Sequence, residues 1–179
     1  MQHKLIFLDI DGVVNTLMID TQPFDTRRGH ISRDGFYYDL CNSSDKRVSN
    51  RQAIMWLNKL CVTTGAQIVI SSTWRYGNTL EEMTEYLQNS GLLPEINVIG
   101  FTPDLRGNIN FCRGDEINLY LRENFSQNDK VAFVILDDDS DMADLMGYLV
   151  HCDVYHGFGY PEYLEAIQVF EKFDFFKKL

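Results

Sequence analysis

Along the chain, short apolar runs alternate with longer stretches in which apolar residues recur every three or four positions. KLIFLD (4–9) is almost continuously apolar, as a strand covered on both faces should be. SNRQAIMWLNKLCVTTG (49–65) puts Ile54, Leu57, Leu60 and Cys61 on one helical face, with Ser49 as N-cap and Gly65 past the end. AQIVIS (66–71) predicts a second buried strand. TLEEMTEYLQNSG (79–91) opens with Thr79 and Glu82 at capping-box spacing and stops at Gly91. INVIGF (96–101) predicts a third strand, and residues 114–124 a helix with Ile117, Tyr120 and Leu121 on one face. VAFVIL (131–136), β-branched and uncharged, is the clearest strand. A short helix over 140–147, a strand over 149–155 and a helix from Glu162 to about Lys172 follow. Pro161 suits the first position of that last helix, with Leu164, Ile167 and Phe170 facing inward.

This β–α alternation predicts an α/β fold, a mostly parallel central sheet with helices on both faces. At 179 residues the chain suits a single domain, 1–179. Segment 15–48 breaks the pattern. It is polar and rich in turn residues, with FYYDL (36–40) inside it. A loop of that length is unusual in a compact domain and often covers an active site, so the segment is expected to be an inserted lid after the first strand.

Composition narrows the classes. A net charge of −10 and a pI near 4.7 argue against a large basic nucleic-acid-binding surface. Arg27, Arg28, Arg33, Lys46, Arg47 and Arg51 do gather in one segment, a solvated loop on the simplest reading. No apolar run approaches the roughly 20 residues that span a bilayer, so no membrane partner is expected. The N-terminal run meets acidic residues and has no small-residue cleavage site. Cys41, Cys61, Cys112 and Cys152 are widely spaced with no CxxC pair. Cys61 and Cys152 read as buried free thiols, and the cytoplasm is the expected compartment. His30, His151 and His156 show no metal-ligand spacing.

In a parallel α/β sheet the ligand crevice lies beyond the carboxyl ends of the strands. The first strand delivers Asp9 and Asp11 there, and the second delivers Ser71, Ser72, Thr73, Trp74 and Arg75. The strand at 131–136 delivers Asp137, Asp138 and Asp139, with Asp141 following, and Arg113 opens the third helix. Carboxylates, a hydroxyl and a guanidinium converging on one edge suit phosphoryl transfer with Mg2+, which prefers a few hard oxygen ligands. One carboxylate can attack phosphorus and form an aspartyl-phosphate. A second, two residues on, can give and take the proton. Cations and hydroxyls hold the equatorial oxygens. Ser72 and Thr73 read more simply as partners for backbone groups. Trp74 either packs or lines the pocket, and Arg75 either contacts the substrate phosphate or does not. Ser140 or Asp141 is placed to cap the short helix that follows.

LDIDGVV, VISSTWR, RGDEI and VILDDDSD, in that order within residues 5–141, resemble the motifs of the haloacid dehalogenase (HAD) superfamily of phosphohydrolases. More narrowly they are similar to the small phosphatase-like domains of RNA-repair proteins, as is the closing HGFGYPEYLEAI. The resemblance implies a Rossmann-like domain with a minimal cap. It makes Asp9 the nucleophile and a metal ligand, and Asp11 the general acid/base whose backbone carbonyl also meets the metal. Ser71 becomes the phosphoryl-binding hydroxyl, and Arg113 stands where the family usually has lysine. Asp137 and Asp138 form the acidic pair, with Asp138 favoured as metal ligand; an alternative register pairs Asp137 with Asp141. Gly12 and Ser72 join Ser71 and Arg75 as expected substrate contacts. Val13 replaces a threonine common in the family. The implied partner is a phosphorylated substrate, either a small phosphomonoester such as a nucleotide or a bulky one such as a polynucleotide end. The alternatives are a non-catalytic phosphate-binding or regulatory module, and haloalkanoate dehalogenation, whose enzymes typically lack the second aspartate.

Overall fold

The computed structural model describes residues 2–16, 29–31, 37–39, 50–107 and 111–175. Seven strands are present among them: β1 (Gln2–Leu8), β2 (Gly29–Ile31), β3 (Tyr37–Asp39), β4 (Gln67–Ile70), β5 (Val98–Phe101), β6 (Lys130–Asp137) and β7 (Leu149–His151). The helices are α1 (Arg51–Thr64), α2 (Leu80–Asn89), α3 (Arg113–Asn124) and α4 (Tyr160–Phe175). Strands β5-β4-β1-β6-β7 form one sheet in that order, every pairing parallel, while β2 and β3 make a small antiparallel ladder of their own. The chain therefore builds outward from β1 to β4 and β5, then returns to the other side of β1 with β6. That reversal between β1 and β6 is where an open α/β sheet leaves a crevice.

Alternation along the strands supplies two cores. Ile6 and Leu8 of β1, Ile68 and Ile70 of β4, and Val134 and Leu136 of β6 face α1, α2 and α4. Leu5 and Phe7, Val69, and Phe133 and Ile135 face the other way, onto Ile117 and Tyr120 of α3 and Met142 and Leu145 beyond β6. Period-two side chains buried on both faces explain why these strands read as unbroken apolar runs. Phe7 meets Tyr120 and Phe133 edge-on, each at 5.7 Å between centroids.

Local signals set the element ends. The Thr79 hydroxyl accepts from the Glu82 amide while Glu82 accepts from the Thr79 amide, closing the expected capping box on α2. Gly65 ends α1 at φ +70°, a conformation that favours glycine. Three expectations are corrected. The cap of α1 is Asn50, whose Oδ1 accepts from the amides of Gln52 and Ala53. Residues 143–148 form a 3₁₀ turn that no side chain caps, rather than an α-helix over 140–147. In α4 the buried face is Ala166, Val169 and Phe170, and Leu164 is exposed. Ala166, Val169 and Phe170 recur at i, i+3 and i+4, and at 100° per residue Leu164 lies on the opposite side of the helix. Apart from the β2–β3 ladder and residues 15 and 16, segment 15–48 lies outside the described residues, and so do Arg27, Arg28, Arg33, Lys46, Arg47 and Cys41.

Candidate active site

The register of the sheet places the chemistry. Leu8 pairs with Ile70 on one side and with Leu136 on the other, and Ile70 pairs with Phe101. The next residue on each strand is thus Thr102, Ser71, Asp9 and Asp137, in spatial order across the sheet. Backbone bonds extend this row: Asp9 N–H donates to Leu136 at 2.9 Å, Ser71 N–H to Leu8 at 2.9 Å and Thr102 N–H to Ile70 at 3.0 Å. Neighbouring parallel strands lie about 4.8 Å apart, so consecutive members of the row are within reach of one small ligand.

Past β1 the chain turns tightly. Val14 and Asn15 donate to the carbonyl of Ile10, and Gly12 donates to that of Asn15 at 2.7 Å. Gly12 has φ +78°, and a Cβ there would collide with the Asp138 carboxylate. Its role is close packing against Asp138, and its amide is committed to Asn15, so the expected substrate contact at Gly12 is not what the geometry shows. Val13 and Val14 are fully buried, and the Val13 carbonyl accepts from Phe158 at 2.9 Å. This explains part of the HGFGY segment: it buttresses the loop that carries Asp11.

Carboxylate oxygens of Asp9, Asp137 and Asp138 lie within 4.8 Å of one another. Both members of the acidic pair thus reach the cluster. Asp141 does not join it; its Oδ2 accepts from the Arg113 amide at 3.0 Å, at the start of α3. Burial pushes Asp9 up to about 6, against the pull of Arg113 and a hydrogen bond from Ser72. Asp137 is pushed up to about 8, first by burial and then by the Asp9 charge, with Arg113 opposing. Asp138 is also raised, chiefly by burial. Asp137 Oδ1 accepts from the Asp139 amide at 3.0 Å, but its buried Oδ2 has no hydrogen-bond partner. Three crowded carboxylates, all pushed toward the neutral form and one with an unsatisfied buried oxygen, fit a hard divalent cation well.

Cationic and hydroxyl groups complete the site. The Arg113 guanidinium sits 3.2 Å from Asp9 Oδ1 and 3.7 Å from Asp137 Oδ2, and it also donates to the Ser71 carbonyl. Gly114 lets α3 approach this closely, because a Cβ there would strike the Met142 carbonyl. The Ser71 hydroxyl is fully buried and unpaired, as is the neighbouring Thr102 hydroxyl. An unpaired hydroxyl next to the predicted nucleophile suits a phosphoryl oxygen. Ser72 is buried, bonds Asp9, and accepts from the Trp74 amide at 3.4 Å.

Arg75, expected to contact a substrate phosphate, is engaged with protein partners. Its buried guanidinium donates to the carbonyls of Ser71 (2.8 Å) and Ser72 (2.7 Å), to the Tyr76 hydroxyl (2.6 Å) and to Glu116 (2.5 Å). It braces the loop after β4 from behind. Trp74 neither merely packs nor stands apart: its Nε1–H donates to Asp11 Oδ2 at 2.9 Å. Asp11 lies outside the carboxylate trio, with its Oδ1 accepting from Asn15 Nδ2 at 3.2 Å. Asn15, Tyr86, Thr102 and Glu116 were not singled out by sequence. For Asn15 the signal was available, four residues after Asp11 at the end of the same motif.

A family model described as the HAD domain in Swiss Army Knife RNA repair proteins matches residues 5–162. The chain belongs to that family, and a phosphatase-type hydrolase role follows at the level of the family. No curated protein and no solved structure matches the chain. Among the described residues, no helix is long and apolar enough to cross a membrane.

Proposed function

We propose that this HAD-family chain is a magnesium-dependent phosphomonoesterase that works through an aspartyl-phosphate on Asp9. The observation that carries the reading is the β1–β6 register, which sets Asp9 against Asp137 and Asp138 with Arg113 at 3.2 Å. Asp9, Asp137 and Asp138, with the Asp11 carbonyl, would hold Mg2+. When bound, the ion supplies charge neutralisation between the carboxylates and the incoming phosphoryl oxygens.

The remaining steps belong to side chains. An Asp9 carboxylate oxygen attacks phosphorus as the bond to the leaving oxygen breaks, and Asp11 gives that oxygen its proton. Water then attacks phosphorus, Asp11 takes its proton, and the bond to Asp9 breaks to release inorganic phosphate. The Ser71 hydroxyl and Arg113 bind the equatorial oxygens, where negative charge must be held through both steps. An arginine at this position presents a planar fork in place of the point charge of lysine.

The substrate we infer is a phosphomonoester at a polynucleotide end or on a nucleotide. The family's RNA-repair description supports a nucleic-acid end. The net charge of −10 favours recognition of the terminal group over a long backbone track. Segment 15–48 would serve as the lid. Cys61, Cys112 and Cys152 are free thiols, which supports a reducing compartment such as the cytoplasm. Phosphate release from 4-nitrophenyl phosphate and from RNA and DNA bearing 3′- or 5′-phosphates tests the reading. Turnover that needs Mg2+ and disappears in Asp9→Asn is expected. Turnover that survives Asp9→Asn, or tight phospholigand binding without any release, would overturn it, the latter in favour of a non-catalytic phosphate-binding module.

A further inference from the structure

We propose that Trp74, Asn15 and Tyr86 form a closed clamp that positions Asp11 for proton transfer to the leaving group; the inference rests on the phosphomonoesterase reading above. Trp74 Nε1–H donates to Asp11 Oδ2 at 2.9 Å, and Asn15 Nδ2 donates to Asp11 Oδ1 at 3.2 Å. The Tyr86 hydroxyl donates to Asn15 Oδ1 at 2.6 Å. Tyr86 also lies against Trp74, ring centroids 5.0 Å apart at 40°. The four side chains therefore close a ring: carboxylate to indole, indole to phenol, phenol to amide, amide to carboxylate.

Each member has one workable orientation. Asp11 Oδ1 accepts in this contact, so the Asn15 amide turns its NH2 toward Asp11. That leaves Asn15 Oδ1 facing away, where the Tyr86 hydroxyl meets it and prevents a flip. Asn15 is itself pinned by backbone bonds to Ile10 and Gly12, and the Trp74 carbonyl accepts from Asn78 at 2.7 Å. Two donors from separate elements fix the plane of the Asp11 carboxyl. General acid catalysis depends on such geometry, because the acid must lie within hydrogen-bond reach of the leaving oxygen as the bond breaks. Trp74, Asn15 and Tyr86 are thus positioning residues. They act through Asp11 and have no need to touch the phosphoryl group.

A clamp on the acid predicts a loss that depends on how much the leaving group needs a proton. The comparison is kcat/KM for phenyl phosphate against 4-nitrophenyl phosphate, two substrates of nearly the same shape. The first expels a basic phenolate, and the second expels one stable without a proton. Because kcat/KM includes only steps up to phosphoenzyme formation, the later hydrolysis, common to both substrates, does not blur the result.

Trp74→Phe and Tyr86→Phe each remove one donor and keep an aromatic ring. General acid catalysis supplies typically 10²–10⁴-fold, so a misplaced acid should cost phenyl phosphate about tenfold or more and 4-nitrophenyl phosphate less than about threefold. Tyr86→Phe removes a single oxygen and keeps the test valid if Trp74→Phe fails to fold. Equal losses on both substrates, or none on either, with wild-type turnover intact, would overturn the clamp alone. Wild-type protein that releases phosphate from neither substrate in saturating Mg2+ would overturn the phosphomonoesterase reading and the clamp with it.

Discussion

The amide of Asp9 donates to the carbonyl of Leu136 at 2.9 Å, one step beyond the last paired residues of β1 and β6. This bond forces two buried carboxylates, Asp9 and Asp137, onto adjacent strand ends. A pure stability argument would not place them there, since burial raises both and the Asp9 charge further disfavours ionisation of Asp137.

Replacing Asp137 with asparagine should therefore stabilise the metal-free protein while weakening metal uptake. Asparagine keeps an oxygen to accept from the Asp139 amide and removes the charge that burial resists. Metal-free Asp137→Asn should gain about 1–3 kcal/mol at pH 8. Mg2+ affinity by titration calorimetry should fall more than about tenfold. A variant less stable than wild type without metal would contradict the electrostatic account.

The same carboxylates set a pH dependence whose sign can be worked out. Asp9 at about 6 and Asp137 at about 8 both lie above the ordinary value of 3.8, so the folded chain holds more protons than the unfolded one across that interval. Their contribution to stability is complete below the unfolded value and is lost as pH rises through about 6 and then about 8. Asp129 and Asp153, held low by hydrogen bonds, act in the opposite sense in more acidic solution. Melting of metal-free protein should thus move to lower temperature between about pH 5 and pH 9. Saturating Mg2+ should flatten that slope, because a bound cation favours the ionised carboxylates. A metal-free melting temperature that rises over the interval would show that these groups are ionised already.

Arg75 and Glu116 form a buried pair at 2.5 Å, and both side chains are almost wholly shielded from water. Arg75→Leu leaves Glu116 with the Tyr76 hydroxyl, the Leu105 amide and a guanidinium nitrogen of Arg113 4.0 Å away. Breaking such a pair costs about 3–5 kcal/mol, whereas replacing both partners with apolar residues costs far less. Urea denaturation of Arg75→Leu and of the double variant with Glu116→Leu checks this. The double variant should recover part of the loss, because the Ser71 and Ser72 carbonyls and the Leu105 amide still lack their partners. A double variant no more stable than Arg75→Leu would refute the buried-pair account.

How much of this was legible follows from where each signal lies in the chain. Asp9, Asp137 and Ser71 each end an apolar run, and parallel strands put such ends together whatever the loops do. The sheet, its order of elements and the acidic cluster were therefore readable. Arg75 was not, because its partner Glu116 lies 41 positions away and only the packed α3 brings the two together. The role of Tyr86 and the particular partner of Trp74 escaped for the same reason: their bonds to Asn15 and Asp11 span 71 and 63 positions. Leu164 was misjudged because two apolar stripes could be drawn on that helix, and only the packed sheet shows that the one through Ala166, Val169 and Phe170 is buried. Asp137 and Asp138 could not be separated by sequence, and in the structure carboxylate oxygens of both lie in the cluster with Asp9.

Gly12 gives the sharpest test of how the Asp11 loop and the carboxylate cluster depend on each other. Its φ of +78° disfavours any L side chain, at a cost of roughly 1–2 kcal/mol for alanine. That strain alone would lower stability and leave metal affinity nearly unchanged. The space argues for more, because the alanine methyl would occupy the position of the Asp138 carboxylate. Asp138 is a half-buried side chain, whereas the backbone around Gly12 is held by the bonds to Asn15 and Ile10. The carboxylate should yield. Gly12→Ala is therefore expected to fold, with a melting temperature lowered by several degrees, and to bind Mg2+ about tenfold or more weakly. Added to Asp138→Asn, the same change should weaken binding little further, since both act on one ligand. Full additivity of the two losses in a calorimetric double-mutant cycle would show that Gly12 serves the metal by another route.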